Sequence, residues 1–239
     1  MRAGRAGDAS GGGALSYPPI GAIGPRILAW WSLLTQTASV DVEGLENVPA
    51  TGPVLLVSRH VHHLLDGAVL IHDVPRTLHI VVGLDWTADA RQRRWMERAC
   101  RWAGWPVILR PQTVAAGGAY SPDEVARFLR SGLRHAAQLL RDGRVVVVFP
   151  EGYPLIEPAR AHLAARAQDD GAMLPFAAGF LTIVQLAERY GARDVKIVPV
   201  GFAYKRPKSK WRIRARFGAP MSADATVEAI EHAVRELSR

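Results

Sequence analysis

One cysteine, Cys100, stands in 239 residues, and no apolar run approaches the length of a membrane span. A lone thiol excludes an intrachain disulfide and any multi-cysteine metal site, and it fits a reducing compartment. A transmembrane helix needs about 18 or more consecutive apolar residues, so none is expected. The start of the chain also lacks the apolar centre of a secretory signal. Residues 1–16 are Gly, Ala and Arg with little else, and Gly11–Gly13 interrupts any hydrophobic stretch, so they read as a disordered leader. Acidic residues are few beside basic ones, 22 Asp and Glu against 30 Lys and Arg, for a formal charge of +8. Such an excess implies an anionic partner without choosing between nucleic acid, anionic lipid and a phosphorylated substrate.

What remains is the composition of a packed domain, with 49% hydrophobic and 22% charged residues, and a length that suits one domain with a small appendage. Short apolar runs alternate with helical patterns. Strands are predicted at Val54–Val57, Leu78–Val82, Val107–Leu109, Arg144–Phe149 and Val195–Val200, with an edge strand at Trp211–Phe217. Helices are predicted over Ala90–Ala103, from Ser121 (cap) and Pro122 (first turn) to a stop at Gly143, over 177–190 and over 224–238. Fully apolar β-branched runs suit strands covered on both faces. The alternation predicts an α/β layered fold with a mainly parallel, mixed central sheet flanked by helices. Residues 157–171, alanine-rich and polar, are expected to form a flap or short helix over the site. Ile20–Leu34, tryptophan-rich with one Arg26, suits a helix lying in a bilayer interface or one packing on a core.

Chemistry concentrates at Val57-Ser-Arg-His-Val-His-His-Leu-Leu-Asp-Gly67, where polar residues follow directly on a buried strand. That is where α/β folds build their sites. A histidine steered by a carboxylate can take a proton from a hydroxyl. His60 and Asp66 lie six positions apart, off a common helical face, so they can meet only if His60 precedes the helix that bears Asp66. His62 and His63 raise a metal-site alternative, but adjacent side chains diverge and no matching ligand cluster occurs elsewhere. The second segment is Phe149-Pro-Glu-Gly-Tyr-Pro154, after the four-valine strand. Its turn puts Glu151 and the Gly152 amide at the same rim as His60; a plain tight turn is the bland alternative.

With its neighbours, this pair of segments resembles the phospholipid/glycerol (lysophospholipid) acyltransferase family. Val42–Pro53 is similar to the family's lead-in. His60 and Asp66 fit the five-spacer form of its His-Asp motif, Gly104–Arg110 its second block, Phe149–Gly152 its third, and Ile197–Gly201 with Phe217–Pro220 its fourth. Leu174–Gly179 is a further family-like piece, and the resemblance spans roughly 40–221. It implies a glycerolphosphate acyltransferase-like domain over 40–239, preceded by an amphipathic, membrane-associating helix within 17–39. It also implies acyl transfer from an acyl thioester, acyl-CoA or acyl-carrier protein, to a lysophospholipid such as 1-acyl-glycerol-3-phosphate, with no metal and no cofactor beyond the co-substrate. In that scheme His60 is the general base and Asp66 its orienting partner. Arg110 holds the acceptor's phosphate, and Glu151 and Gly152 bind the acceptor or shape the site. The chain departs from the family at Arg59 (usually Asn), at Tyr153 and Pro154 (usually Thr or Ser, then Arg) and at Ala178 (usually Lys). Arg59 and Tyr153 therefore bear on which acceptor is taken.

Seven of the twelve residues Lys205–Arg216 are basic and, with Trp211, could dock on anionic lipid or form an ordinary solvated edge. The cluster Arg91, Arg93, Arg94, Arg98 and Arg101 beside Trp95 and Trp102 is expected on the same face. No helix-turn-helix, zinc finger or stacking sheet is recognisable, so nucleic acid is not an expected partner. The expected location is peripheral, on the cytoplasmic face of a membrane. Three other functions stay open: transfer to a different lipid or an amine, a serine hydrolase using Ser58, and a non-catalytic lipid-binding protein. The hydrolase lacks a Gly-x-Ser-x-Gly elbow.

Overall fold

The computed structural model describes residues 20–85, 87, 89–110, 120–156 and 173–239. The leader at 1–16 and the flap or helix expected at 157–171 lie outside the described residues. In chain order the elements are α1 (Ile20–Gln36), β1 (Thr37–Glu43), β2 (Val54–Ser58), α2 (Leu65–Asp73), β3 (Leu78–Ile80), β4 (Val82–Gly83), α3 (Ala90–Ala103) and β5 (Val107–Ile108). They continue with α4 (Pro122–Arg141), β6 (Val145–Val148), α5 (Gly179–Arg189), β7 (Lys196–Lys205), β8 (Trp211–Phe217) and α6 (Val227–Leu237). Six strands form one sheet in the order β1-β8-β7-β2-β6-β3, and β4 and β5 form a small parallel pair. Among the described strands of the large sheet only β7 and β8 run antiparallel; the other pairings are parallel. The sheet is mixed and mainly parallel, as the sequence predicts.

The apolar runs form strands because both faces of the sheet are covered. Alternate side chains of a strand point to opposite faces. Val54 and Leu56, Val145 and Val147, and Val198, Val200 and Phe202 therefore enter one core with Ala29 and Leu33 of α1 and Leu65, Val69 and Leu70 of α2. Leu55, Val57, Val146, Val148 and Ile197 enter the other, against α4, α5 and α6. A third, small cluster of Leu84, Leu109, Tyr120 and Val125 lies at β4 and β5. No helix among the described residues is long and apolar enough to cross a membrane.

The helix ends follow local chemistry. Ser121 and Glu124 form a reciprocal capping box at α4, satisfying donors that a helix start leaves open. Asp89 accepts from the amides of Arg91 and Gln92 to start α3. Arg26 of α1 donates to the Val74 carbonyl at 3.1 Å, a cation set against the C-terminal end of α2. Three expectations need correction. Trp211–Phe217 is not an edge strand, because β1 pairs along it from Thr37 to Glu43. Polar Ser39, Asp41 and Glu43, alternating with Val40 and Val42, hide that edge in the sequence. The run at Leu78–Val82 is split: β3 ends at Ile80, and the chain passes to the small sheet, where Val82 pairs with Val107. The strand from Val195 runs on to Lys205, well past Val200.

The approach of α4 to β5 depends on a missing side chain. A Cβ on Gly132 would lie 2.2 Å from the Val107 carbonyl oxygen, a backbone atom that cannot swing aside. Alanine would raise helix propensity by roughly 1 kcal/mol, but overpacking costs about 1–3 kcal/mol or more, so the clash wins. Gly132→Ala is expected to lower the urea midpoint at unchanged m-value; a raised midpoint would show that α4 is not held by this contact.

Candidate active site

Because β2, β6 and β7 are parallel neighbours with β2 in the middle, their C-terminal ends open onto one rim. The chain leaving β2 turns through Arg59 to Leu64 before α2 begins, and Asp66 sits in the first turn of α2. His60 thus precedes the helix, and the two side chains meet. His60 Nδ1 lies 2.9 Å from Asp66 Oδ2, with the His60 side chain 15% exposed and that of Asp66 fully buried. The same carboxylate oxygen accepts the backbone amides of Val61 at 2.7 Å and His62 at 2.9 Å. The other oxygen accepts the Tyr204 hydroxyl at 2.5 Å. With Nδ1 donating to a carboxylate, Nε2 is the lone-pair nitrogen of a neutral ring. The Phe149 ring stacks on the imidazole at 4.4 Å between centroids, which fixes its plane.

Glu151, at the end of β6, is buried, and both its oxygens are turned to backbone. Oε1 accepts from His60 N at 2.7 Å and Oε2 from Leu174 N at 3.0 Å. It therefore ties the His60 loop to the Leu174–Gly179 piece. Leu155 and Ile156 complete the tie, donating their amides to the carbonyls of His60 and Val61 at 3.1 and 2.8 Å. Burial pushes the Glu151 carboxyl up to about 7, against the lowering effect of its two amide donors and of nearby Arg59 and His60. Gly152 has φ +77°, a conformation that favours glycine, and a Cβ there would fall 2.3 Å from Arg110 Nη1 and displace that guanidinium.

Arg110 reaches this rim from the end of β5. Its Nη1 donates to the Gly152 carbonyl. Its Nε and Nη2 face the carboxylate of Asp85 at 3.3 and 2.7 Å. The Tyr153 ring lies under the guanidinium at 4.0 Å, a cation–π contact. The structure thus brings His60, Asp66, Arg59, Glu151, Gly152, Arg110 and Tyr153 to one rim. Sequence reasoning missed Asp85 and Tyr204. A signal for Tyr204 existed: it continues the two-residue alternation of Val198, Val200 and Phe202, hence the face on which α2 lies.

The neighbouring histidines have other tasks. His62 Nδ1 accepts the amides of Leu64 and Leu65, each at 3.3 Å, capping the start of α2. Burial first, then the charge of His63, lowers its pKa, which keeps that nitrogen an acceptor. His63 stacks on it at 4.8 Å. Among the described residues no group of three or more His, Cys, Asp or Glu is placed to hold a metal ion. Ser58 is fully buried and donates its hydroxyl to the Arg59 carbonyl at 3.1 Å, an arrangement that gives no support to a serine nucleophile.

A family model described as Acyltransferase matches residues 39–203. No curated protein matches the chain. Among solved structures, the fold is similar to the crystal structure of the 1-acyl-sn-glycerophosphate (LPA) acyltransferase PlsC from Thermotoga maritima. The TM-score is 0.54 at 16% identity, covering 91% of this chain and 76% of that one.

The raised Glu151 carboxyl gives a signed pH dependence. Between its ordinary value of 4.5 and about 7, the folded chain holds a proton that the unfolded chain has released. Its contribution to stability is therefore full below about 4.5 and is lost as pH rises through 7. At about 1.4 kcal/mol per unit, the full effect is of the order of 3 kcal/mol. Urea titrations of wild type and Glu151→Gln from pH 4.5 to 7.5 should show wild type losing stability relative to the variant; parallel curves would refute the shift.

Proposed function

The chain belongs to the acyltransferase family, and on that premise we propose that it is an O-acyltransferase moving a fatty acyl group from acyl-CoA or an acyl-carrier protein to a lysophospholipid hydroxyl, with 1-acyl-glycerol-3-phosphate as the acceptor. The observation that carries this reading is the His60 ring, steered by Asp66 through Nδ1 and left partly exposed. His60 Nε2 takes the proton of the acceptor hydroxyl as its oxygen attacks the thioester carbonyl. The tetrahedral intermediate collapses with cleavage of the C–S bond, and the imidazolium returns the proton to the departing thiolate. Asp66 keeps the ring in the required tautomer and offsets its positive charge. No acyl-enzyme is formed, because the acceptor itself is the nucleophile, and a thioester is already activated.

Arg110 meets the acceptor's phosphate, its direction preset by Asp85, while Glu151 and Gly152 shape the site by holding the His60 loop and Arg110. The acceptor after which the Thermotoga maritima protein is called, 1-acyl-sn-glycerophosphate, supports this choice. A second reading, a different lipid or an amine-bearing acceptor, is favoured by the Tyr153 ring stacked on Arg110, since an aromatic there crowds the phosphate position. Lipid profiles of cells with and without the protein would separate the two.

The same reading places the protein peripherally, on the cytoplasmic face of a membrane. Ala29 and Leu33 of α1 are buried, whereas Ile27, Leu28, Trp30, Trp31 and Leu34 are more than half exposed. Trp95 and Trp102 of α3 are exposed too, among exposed Arg91, Arg94, Arg98 and Arg101. Trp102 lies against α1, where a Cβ on Gly24 would fall 1.9 Å from its ring. Apolar rings with cations beside them suit an anionic lipid interface.

Acyl transfer to lysophosphatidate should fall by about 10²–10⁴ in His60→Ala, measured as thiol release with product formation; equal rates would remove His60 from the mechanism. In flotation with vesicles containing phosphatidylglycerol, Trp30→Ala/Trp31→Ala should lose binding by about tenfold or more, while undiminished flotation would move the membrane contact elsewhere.

A further inference from the structure

Asp66 receives three of its four hydrogen bonds from its own loop, and all three fall on Oδ2. Its other oxygen is met from across the sheet, by the hydroxyl of Tyr204 near the end of β7, 138 residues away in sequence. We propose that Tyr204 is a positioning residue of the His60–Asp66 pair, a third member that holds the carboxylate in line with the His60 ring. The inference rests on the reading of His60 as the base, which by itself uses only the two residues.

The physical case starts from Oδ1. Asp66 is fully buried, and an ionised oxygen left without a donor there costs about 1–3 kcal/mol or more. Without the phenol, the carboxylate has two ways to relieve that cost. It can rotate about its terminal torsion, which is soft for aspartate, and so lose the line from Oδ2 to Nδ1. Or it can take the Nδ1 proton when His60 becomes an imidazolium, leaving a neutral pair that no longer offsets positive charge at the reacting atoms. A donor on Oδ1 blocks both routes.

The tyrosine is held for this task by contacts that do not involve Asp66. Its ring stacks on His62 at 6.3 Å and 14°, meets Trp211 edge-on at 5.6 Å and 81°, and tilts against Phe202 at 6.1 Å. Three neighbouring rings therefore set the direction of the hydroxyl, which is preorganisation of the kind that favours a charge-developing step. Burial first, and then the Asp66 charge, push the phenol's pKa well up, so it stays a donor at any working pH.

Tyr204→Phe removes the hydroxyl and leaves the ring among its neighbours. With wild type turning over an acyl thioester and lysophosphatidate, the variant should lose about tenfold in kcat, with KM for either substrate unchanged. In an Asp66→Asn background, the same substitution should cost nothing more, because the tyrosine acts through the carboxylate. A merely structural tyrosine would subtract equally in both backgrounds, and that result, or an unchanged kcat, overturns the proposal. A readout that needs no turnover separates its failure from that of the acyl-transfer reading. The Nδ1 proton of His60, followed by NMR in 15N-histidine-labelled protein, should move in Tyr204→Phe and stay in place in Tyr153→Phe. An unmoved signal in Tyr204→Phe overturns the inference whatever the acceptor proves to be.

Discussion

A carboxylate taken out of water costs several kcal/mol unless protein donors replace the solvent it gives up. Asp66 is fully buried, and the architecture of the rim is the set of donors that make this tolerable. The amides of Val61 and His62 and the ring of His60 converge on one oxygen, and the Tyr204 hydroxyl takes the other. Its place in the first turn of α2 adds the positive end of the helix dipole. The path of residues 60–64 follows from this: the loop folds over Asp66 because its amides find their partner there. Without the carboxylate, two amides would be left unpaired and the imidazole would lose its direction.

That arrangement depends in turn on a parallel sheet with β2 in its middle. Parallel order brings the C-terminal ends of β6 and β7 to either side of the chain leaving β2. One side supplies Glu151, which takes the His60 amide, and the other supplies Tyr204. The His60 loop is thus gripped from both flanks, by β6, which is buried along its length, and by β7, whose central residues are buried. A rigid support of this kind suits the proposed role of His60, since a general base must stay within hydrogen-bond reach of the hydroxyl it deprotonates.

Charge at the rim is similarly constrained. Arg110 carries the cation nearest Gly152, but its guanidinium is turned by buried Asp85 and faced by Tyr153. The left-handed Gly152 leaves the room that the guanidinium occupies. Here the residues that depart from the family pattern, Arg59 near Glu151 and Tyr153 beside Arg110, lie beside those groups, whereas the His60 and Asp66 side chains meet each other directly. On the proposed reading, acceptor choice and proton transfer would sit on separable parts of one rim.

Local chemistry alone determined the layered α/β class, the caps at Ser121 and Gly143, and the segments that carry His60, Asp66, Glu151 and Arg110. Each is a short-range matter: apolar runs between turn residues, a hydroxyl before a proline, a histidine just past a buried strand. The requirement that His60 precede the helix of Asp66 was legible for the same reason, since six residues of separation allow few geometries. Burial and strand order decided the rest. β1 was hidden because its polar residues obscure Val40 and Val42, and only its pairing with β8 turns that segment into an edge. Asp85 and Tyr204 gained their partners because β5 and β7 end near residues far away in the chain. Their roles rest on long-range hydrogen bonds to buried charge, and no local pattern encodes which distant donor will reach a given carboxylate.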